Sequence, residues 1–437
     1  MTESPLILVF DIGKTNKKLF LYNERYEIIH QLDTRIPEIS DEDGDPCEDL
    51  QSLTNWIKGS FDEIIKANYS IKALNFSAYG ASFVNIDANG KAATPLYNYL
   101  KAFPERLHDE FYKNYGGVEQ FSLETASPDL GNLNSGLQLY RIKKQQPSVI
   151  EKIRHSLHLP QYISWLFTKK PYSDITSIGC HTALWNFQLN QYHRWVRQEG
   201  ILEKLADIFP SDKAVNLEKQ NIICGIGLHD SSAALIPYLA SFTEPFVLIS
   251  TGTWCISLNP FNQTPLTFEE LGSDCLCYLD YKGKSVKASR LFAGNEHENS
   301  VKQIADRFQA DPLFYREIRF DKEISNKLNT GKITSAVEAY YDFMIGLVNR
   351  QVASTNLVLK GSDVKNIFVD GGFSNNHVYM NLLAEAYPDK KVWAATVAQS
   401  TALGAALAIH SEWNKKEIPS KLVDRVLFKP EKEISKL

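Results

Sequence analysis

Sulfur is scarce in this chain: six cysteines and three methionines in 437 residues. Cys47, Cys180, Cys224, Cys255, Cys275 and Cys277 are scattered, so a disulfide-stapled secreted scaffold is excluded and reduced thiols are expected. Cys275 and Cys277 form a Cys-x-Cys, but no second Cys/His pair lies nearby at zinc spacing, and no zinc site is expected. No apolar run approaches the ~20 residues that cross a bilayer, so no membrane partner is expected. Met1-Thr2-Glu3-Ser4-Pro5 has neither a basic nor a long apolar stretch, which argues against a signal peptide and for a cytoplasmic protein. Positive charge is not in excess. With 47 Lys and Arg against 52 Asp and Glu the net charge is −5, and a nucleic-acid partner is not expected. GxxxxGK[ST] is missing, which excludes a P-loop. Gly225-Ile226-Gly227-Leu228-His229-Asp230 begins like a dinucleotide fingerprint but has Asp where the third Gly belongs.

What remains is a long chain, 43% hydrophobic, with enough apolar residues for more than one core. Two segments echo each other. Leu6-Ile7-Leu8-Val9-Phe10 runs into Asp11-Ile12-Gly13-Lys14-Thr15-Asn16, and Phe246-Val247-Leu248-Ile249 runs into Ser250-Thr251-Gly252-Thr253-Trp254. Each reads as a buried strand turning at glycine into a second strand, and such turns offer N–H groups and hydroxyls to phosphate. The first turn belongs to a meander over residues 6–33. Residues 40–49 read as an acidic surface loop, Leu50–Lys66 as an amphipathic helix, residues 71–77 and 83–87 as strands, and residues 104–170 as mostly helical. A helix is expected from Asp230. After a boundary near residues 241–245 the plan restarts, giving lobes 1–243 and 244–437. The second lobe has a long helix over Ala336–Leu359, a strand at 366–369, and an Ala-rich helix over 399–410 whose Gly404 permits close helix approach.

Four clusters could carry chemistry. The paired turns are either plain hairpins or the two halves of a phosphate clamp, with Lys14 and Lys18 adding charge. Asp230 in His229-Asp230-Ser231-Ser232 is either a helix N-cap or a carboxylate that accepts a hydroxyl proton; its place at the lobe junction favours the second role. Asp370-Gly371-Gly372 with Ser374, Asn375 and Asn376 is either a tight turn or a surface that admits a flat base. Asn295-Glu296-His297-Glu298 lacks HExxH and reads as a solvated helix face, with Arg290 or Glu298 able to face the cleft.

With these motifs in this order, nearly the whole chain resembles the FGGY family of carbohydrate kinases, nearest its rhamnulokinase and fuculokinase branch. Residues 11–16 resemble the family's first phosphate motif, in a form leaning toward fuculokinases. Residues 250–254 resemble its second, and residues 227–231 its catalytic Gly-His-Asp segment with Leu228 inserted. Residues 370–376, Asn381 and residues 400–404 resemble its adenosine segment. Tyr79-Gly80-Ala81-Ser82-Phe83-Val84 leans toward rhamnulokinases. Two departures stand out: Ser82 occupies a position where the family usually has Asp, and residues 97–102 lack the family's usual basic, aromatic lining.

The resemblance implies an α/β, duplicated actin/Hsp70-like (ribonuclease H-like) fold: two lobes of mixed sheets flanked by helices. It implies ATP and Mg²⁺ as cofactors and a small ketose as substrate. Asp230 would be the base and Asp11 the metal ligand. Gly13, Lys14, Thr15, Asn16, Lys18, Gly252, Thr253, Glu298, Gly371, Gly372, Asn376 and Gly404 would serve the nucleotide. Gly80, Ser82, His229, Ser231 and Arg290 would serve the sugar. The leading acceptor is a 6-deoxyhexulose such as L-rhamnulose or L-fuculose, then a pentulose. A non-catalytic actin-like sensor is the competing class, for which Ser82 speaks. An Hsp70-like ATPase is disfavoured because no peptide-binding extension follows Leu437. The oligomeric state stays open, a homodimer included.

Overall fold

The computed structural model describes residues 4–218, 221–327, 333–397 and 399–429; the expected lobe ends at residues 1 and 437 lie outside them. The first half of the chain builds one mixed sheet. Strand β1 (Leu6–Ile12) is buried almost throughout, as its unbroken apolar run requires of a central strand. It pairs antiparallel with β2 (Lys17–Tyr22), which pairs antiparallel with β3 (Ile28–Thr34), an edge strand alternating between exposed and half-buried positions. Helix α1 (Leu50–Lys66) is capped by Asp49, whose carboxylate accepts from the Ser52 N–H, and buries Leu53, Ile57, Phe61 and Ile64. It leads to β4 (Ile71–Ala78), parallel to β1. Helix α2 (Leu159–Thr168) follows, then β5 (Ala214–Leu217) and β6 (Ile222–Gly225), which complete the order β5-β6-β4-β1-β2-β3. The chain then enters α3 (Asp230–Ser241).

The second half repeats the plan. Strands β7 (Phe246–Thr251), β8 (Cys255–Asn259), β9 (Cys275–Leu279) and β10 (Ser285–Leu291) precede α4 (Ala293–Phe308) and the long α5 (Ala336–Leu359). Strand β11 (Asn366–Gly371), α6 (His377–Ala386), β12 (Lys391–Thr396), α7 (Ser400–Ala408) and β13 (Asp424–Phe428) follow, giving the sheet order β9-β10-β8-β7-β11-β12-β13. From β3 to β5 the neighbouring pairs run antiparallel, antiparallel, parallel, parallel, antiparallel. From β10 to β13 the same five relations recur. This is the duplicated two-lobe architecture the sequence leads one to expect, with β9 as an addition.

The lobes meet where α3 crosses α7, and one apolar core runs across the junction. It joins Val9 and Phe20 of the first sheet to Leu248 and Leu258 of the second through Ala233, Leu235, Ala402 and Ala406. The crossing is backbone on backbone: a Cβ on Gly404 would lie 1.8 Å from the Ala233 carbonyl oxygen. Pro237 has no N–H to bond that carbonyl from one turn later, so the oxygen is left facing the neighbouring helix.

Between β4 and β6 the first lobe carries a helical insertion, with helices at Glu105–Asn114, Gly117–Thr125, Ser135–Gln145 and Pro147–Lys152 around a second aromatic core. Residues 40–49 differ from the surface loop expected. Short strands Ile39–Ser40 and Pro46–Glu48 pair with each other and with Leu96–Tyr97, and Asp41, Cys47 and Glu48 are buried. Asp41 is drawn inward because the Lys101 ammonium pairs with it (2.5 Å), while Asp43 (2.8 Å) and Asp45 (2.9 Å) reach the same ammonium from the more exposed turn. The six cysteines are free thiols. Among the described residues, no helix is long and apolar enough to cross a membrane.

Candidate functional site

The two glycine turns occupy equivalent places in the two sheets, at the ends of β1 and β7. In the first, the Gly13 N–H donates to the Asn16 carbonyl (2.9 Å), which closes a four-residue loop and leaves Thr15 exposed. In the second, the Gly252 N–H donates to the Trp254 carbonyl (2.9 Å), and Gly252 and Thr253 are exposed. The start of α4 buttresses this second turn. A Cβ on Gly294 would meet the Gly252 carbonyl oxygen at 1.8 Å, and the Asn295 N–H donates to the Thr253 carbonyl. Gly371, at φ +90°, lies against Thr251; the Thr251 hydroxyl donates to the Asp370 carbonyl (2.6 Å) and accepts from the Phe373 N–H (3.0 Å). The second turn is thereby braced from both neighbouring elements.

Asp230 is the first residue of α3, not its cap. His229 holds the cap position without a side-chain bond, and Asp230 Oδ1 accepts instead from the Ser231 N–H (2.6 Å). That removes the plain capping role. About a third of the Asp230 side chain (31%) is accessible, yet burial pushes its carboxyl up to about 6 despite the Ser231 N–H and hydroxyl. Burial holds the His229 imidazole down to about 3, so the ring is neutral; its Nε2 lies 3.1 Å from Asp230 Oδ1 but makes its hydrogen bond with Cys180 Sγ. His229 is fixed from behind by Gly80, where a Cβ would touch the ring at 3.0 Å, and by Cys180 Sγ at 3.1 Å. Asp11 lies at the base of the first turn. Burial first, and further down the charge of Asp230, hold its carboxyl above the ordinary range against the opposing Ser77 and Thr401 hydroxyls and Lys18. The two carboxylates therefore share one electrostatic environment.

Beside the second turn a cavity of about 600 Å³ opens in the second lobe, lined by Thr251, Gly252, His297, Tyr315, Gly372 and Asn376 among others. Gly372 has nothing within 4 Å of where a Cβ would stand, so its face is open. Asn376 caps α6, accepting from the Tyr379 N–H, and donates to the Tyr340 hydroxyl. The cavity has backbone, amide and aromatic walls, suited to a flat heteroaromatic ring beside a phosphate turn.

Residues 6–234 match the N-terminal domain of the FGGY family of carbohydrate kinases, and residues 312–411 match the family's C-terminal domain. The chain belongs to the FGGY family. Among curated proteins it is similar to a rhamnulokinase of Halalkalibacterium halodurans, 23% identical over 265 residues, 56% of this chain and 52% of that one. The match thus spans about half the length of that relative. Among solved structures it is similar to a carbohydrate kinase from Novosphingobium aromaticivorans (TM-score 0.78, 21% identity, 97% of this chain and 96% of that one). It is also similar to a ligand-bound xylulose kinase from Lactobacillus acidophilus (TM-score 0.79, 16% identity, 98% and 94%). At these identities the structural likeness shows the shared fold.

Within this FGGY framework several expected site residues take other positions. Lys14 turns from the phosphate turn to Glu38 (2.7 Å) and lies over the Tyr79 ring; Lys17, beside it, is buried against Glu48 (2.8 Å). Asn16 Oδ1 accepts from Arg35. Lys18 reaches into the second lobe and donates to Gln399. Glu298 is exposed on α4, and its neighbour His297 is the residue that lines the cavity, packed on Tyr315 and Phe373. Gly404 is sealed against Ala233, so it serves the helix crossing and has no face free for adenosine. Ser82 is buried with an unpartnered hydroxyl, away from any open surface. Arg290 is buried, paired with Asp274 through a 2.5 Å contact and lying over the Trp254 ring.

Other residues join the site without having been expected there. Tyr99 is one: burial first, then the charge of Asp230, raises its phenol, which places it near the carboxylate. Cys180 and Asp274 are others; Thr401 lies in the segment expected at the adenosine, but its hydroxyl donates to Asp11. Tyr99 corrects the reading of residues 97–102 as lacking an aromatic lining, while Cys180 and Asp274 stand in no local pattern because distant elements bring them in.

Proposed function

We propose that this chain transfers the terminal phosphoryl group of ATP to a hydroxyl of a ketose. The observation that carries this reading is the placement of Asp230: a partly accessible carboxylate at the lobe junction, held at about 6, with Asp11 and the first phosphate turn in its field. An alcohol attacks only when its proton has somewhere to go, and a base poised near the working pH is the efficient acceptor. The Ser231 N–H fixes one oxygen of the carboxylate, with the neutral His229 ring packed 3.1 Å from it. Exposed Thr15, Thr253 and Gly252 would present hydroxyls and N–H groups to the phosphates, and the cavity with Gly372 and His297 would take the base.

The donor set fits Mg²⁺. Asp11 is a hard oxygen donor with the Asp230 carboxylate and the Lys18 ammonium in its field, and a divalent cation would ease the repulsion between the two carboxylates. Asp11 would hold the ion directly or through water, and when bound the ion neutralises charge on the phosphate oxygens. Closure of the lobes would exclude water from the transferred group.

For the acceptor we propose a 6-deoxyhexulose such as L-rhamnulose or L-fuculose, supported by the partial likeness to a rhamnulokinase and by residues 79–84. A pentulose is second. A cytoplasmic setting suits this chemistry. The competing reading is a non-catalytic sugar sensor; the buried Ser82 hydroxyl serves neither reading as a sugar contact. A coupled ADP-release assay over a panel of ketoses separates the readings. Stimulation by one sugar supports the kinase; sugar binding with no ADP release from any of them overturns it.

A further inference from the structure

Asp11 and Lys18 face each other in register across β1 and β2. Both side chains make a hydrogen bond to the other lobe. Asp11 Oδ2 accepts from the Thr401 hydroxyl (2.7 Å), and the Lys18 ammonium donates to Gln399 Oε1 (2.9 Å). Thr401 and Gln399 flank the start of α7, with Gln399 turned into the left-handed region at φ +57° just before the helix. The other Asp11 oxygen, Oδ1, accepts from the Ser77 hydroxyl (2.5 Å) on β4 of its own lobe. One carboxylate oxygen is thus fixed by each lobe. Deeper in the junction the same helix is held by the Asn75 amide, which donates to the Ala405 carbonyl (2.7 Å), and by the contact of Gly404 with Ala233.

We propose that Thr401, assisted by Gln399, is a positioning residue that ties the orientation of the Asp11 carboxylate to the relative orientation of the lobes. This rests on the reading of Asp11 as the metal ligand. A carboxylate held by its own lobe alone would keep one direction whatever the other lobe did. Held from both sides, it turns its remaining lone pairs toward the phosphate turn in one arrangement of the lobes only. Binding of a metal–nucleotide complex and closure of the cleft are then coupled, and each favours the other by the same factor. A hydroxyl that merely joined the lobes would affect nucleotide binding equally with and without metal, which gives the test its discriminating arm.

The probe is Mn²⁺ with ADP, followed by electron paramagnetic resonance, beside calorimetric ADP binding in excess chelator. Thr401→Val keeps the shape and removes the hydroxyl; Thr401→Ser keeps the hydroxyl. The Val variant should raise the Mn²⁺ dissociation constant in the ADP complex about tenfold, the scale of one lost hydrogen bond to a charged group, with metal-free ADP binding unchanged. The Ser variant should restore the parental value. A Val variant that binds Mn²⁺ like the parent, or that loses metal-free ADP affinity to the same extent, overturns the inference while leaving the proposed function standing. A parent that shows no Mn²⁺-dependent ADP binding overturns both.

Discussion

Replacing Asp230 by Asn should make the protein less active and more stable at once. The side chain keeps its shape, and its oxygen can still accept from the Ser231 N–H. What disappears is a charge that the fold holds against burial. The carboxyl sits at about 6 in place of 3.8. A shift of ~2 units corresponds to ~3 kcal/mol. Because 31% of the side chain is open to solvent, screening reduces this, and ~1–2 kcal/mol is the expected gain. In a lobe of about 200 residues that is ~2–8 °C in melting temperature. The pH dependence identifies the cause. In the unfolded chain the carboxyl ionises near 3.8, and in the folded protein near 6. Between those values the unfolded state has released a proton that the folded state keeps, so stability falls as pH rises through this window. The variant should therefore melt with the parent below about pH 4, pull ahead from pH 4 to 6, and hold a constant lead above that. Calorimetry of both proteins from pH 4 to 8 checks this, with turnover expected to drop ~10²–10⁴-fold. Equal melting temperatures at neutral pH, or a less stable variant, would refute the account of Asp230 as a buried, strained charge.

The same carboxyl should govern the rate profile: kcat/KM climbs about tenfold per pH unit below about 6 and levels off above it, and a profile flat down to pH 5 would remove Asp230 as the base. Two glycines should respond oppositely to alanine. Gly404→Ala places a carbon 1.8 Å from a backbone oxygen and should destabilise by ~3 kcal/mol or more. Gly252→Ala finds its nearest neighbour at 3.9 Å, so it should leave the melting temperature unchanged and weaken only phosphate-dependent ADP binding, read by calorimetry. Lys101→Met strands the buried Asp41 beside two further carboxylates and should destabilise by ~3 kcal/mol near neutral pH. The gap from the parent should narrow as the pH is lowered toward 4, because protonation removes the repulsion; a thermal melt series measures it.

Local patterns carried much of this architecture. The apolar runs ending in Gly13 and Gly252, the amphipathic spacing of Leu50–Lys66 and the long periodicity of Ala336–Leu359 depend on neighbours in the chain, and they appear in the fold as the pattern requires. The placement of Asp230 beside its histidine was likewise legible, since both lie in one short segment. Side-chain direction was not. Lys14 looks like a phosphate ligand until Glu38, 24 residues on, takes its charge. On α4 one residue turns the helix by about 100°, so a loosely aligned segment cannot decide between Glu298 and His297. Ser82 is covered because the chain around Leu159, whose N–H donates to the Ser82 carbonyl, folds over it. For Gly404 the sequence supports both close helix approach and an adenosine contact; the Ala233 backbone leaves room for the first alone.

That crossing bears on how the molecule moves. A joint in which two main chains touch, with the carbonyl freed by Pro237 on one side and a bare α-carbon on the other, has no rotamers to reset when it swivels. Resistance to swivelling then resides in the polar ties nearer the cleft and in the layered apolar contacts around them. A handful of hydroxyl, amide and ammonium bonds would then hold the lobes in register, and the loss of one of them should loosen the joint without disturbing the crossing itself.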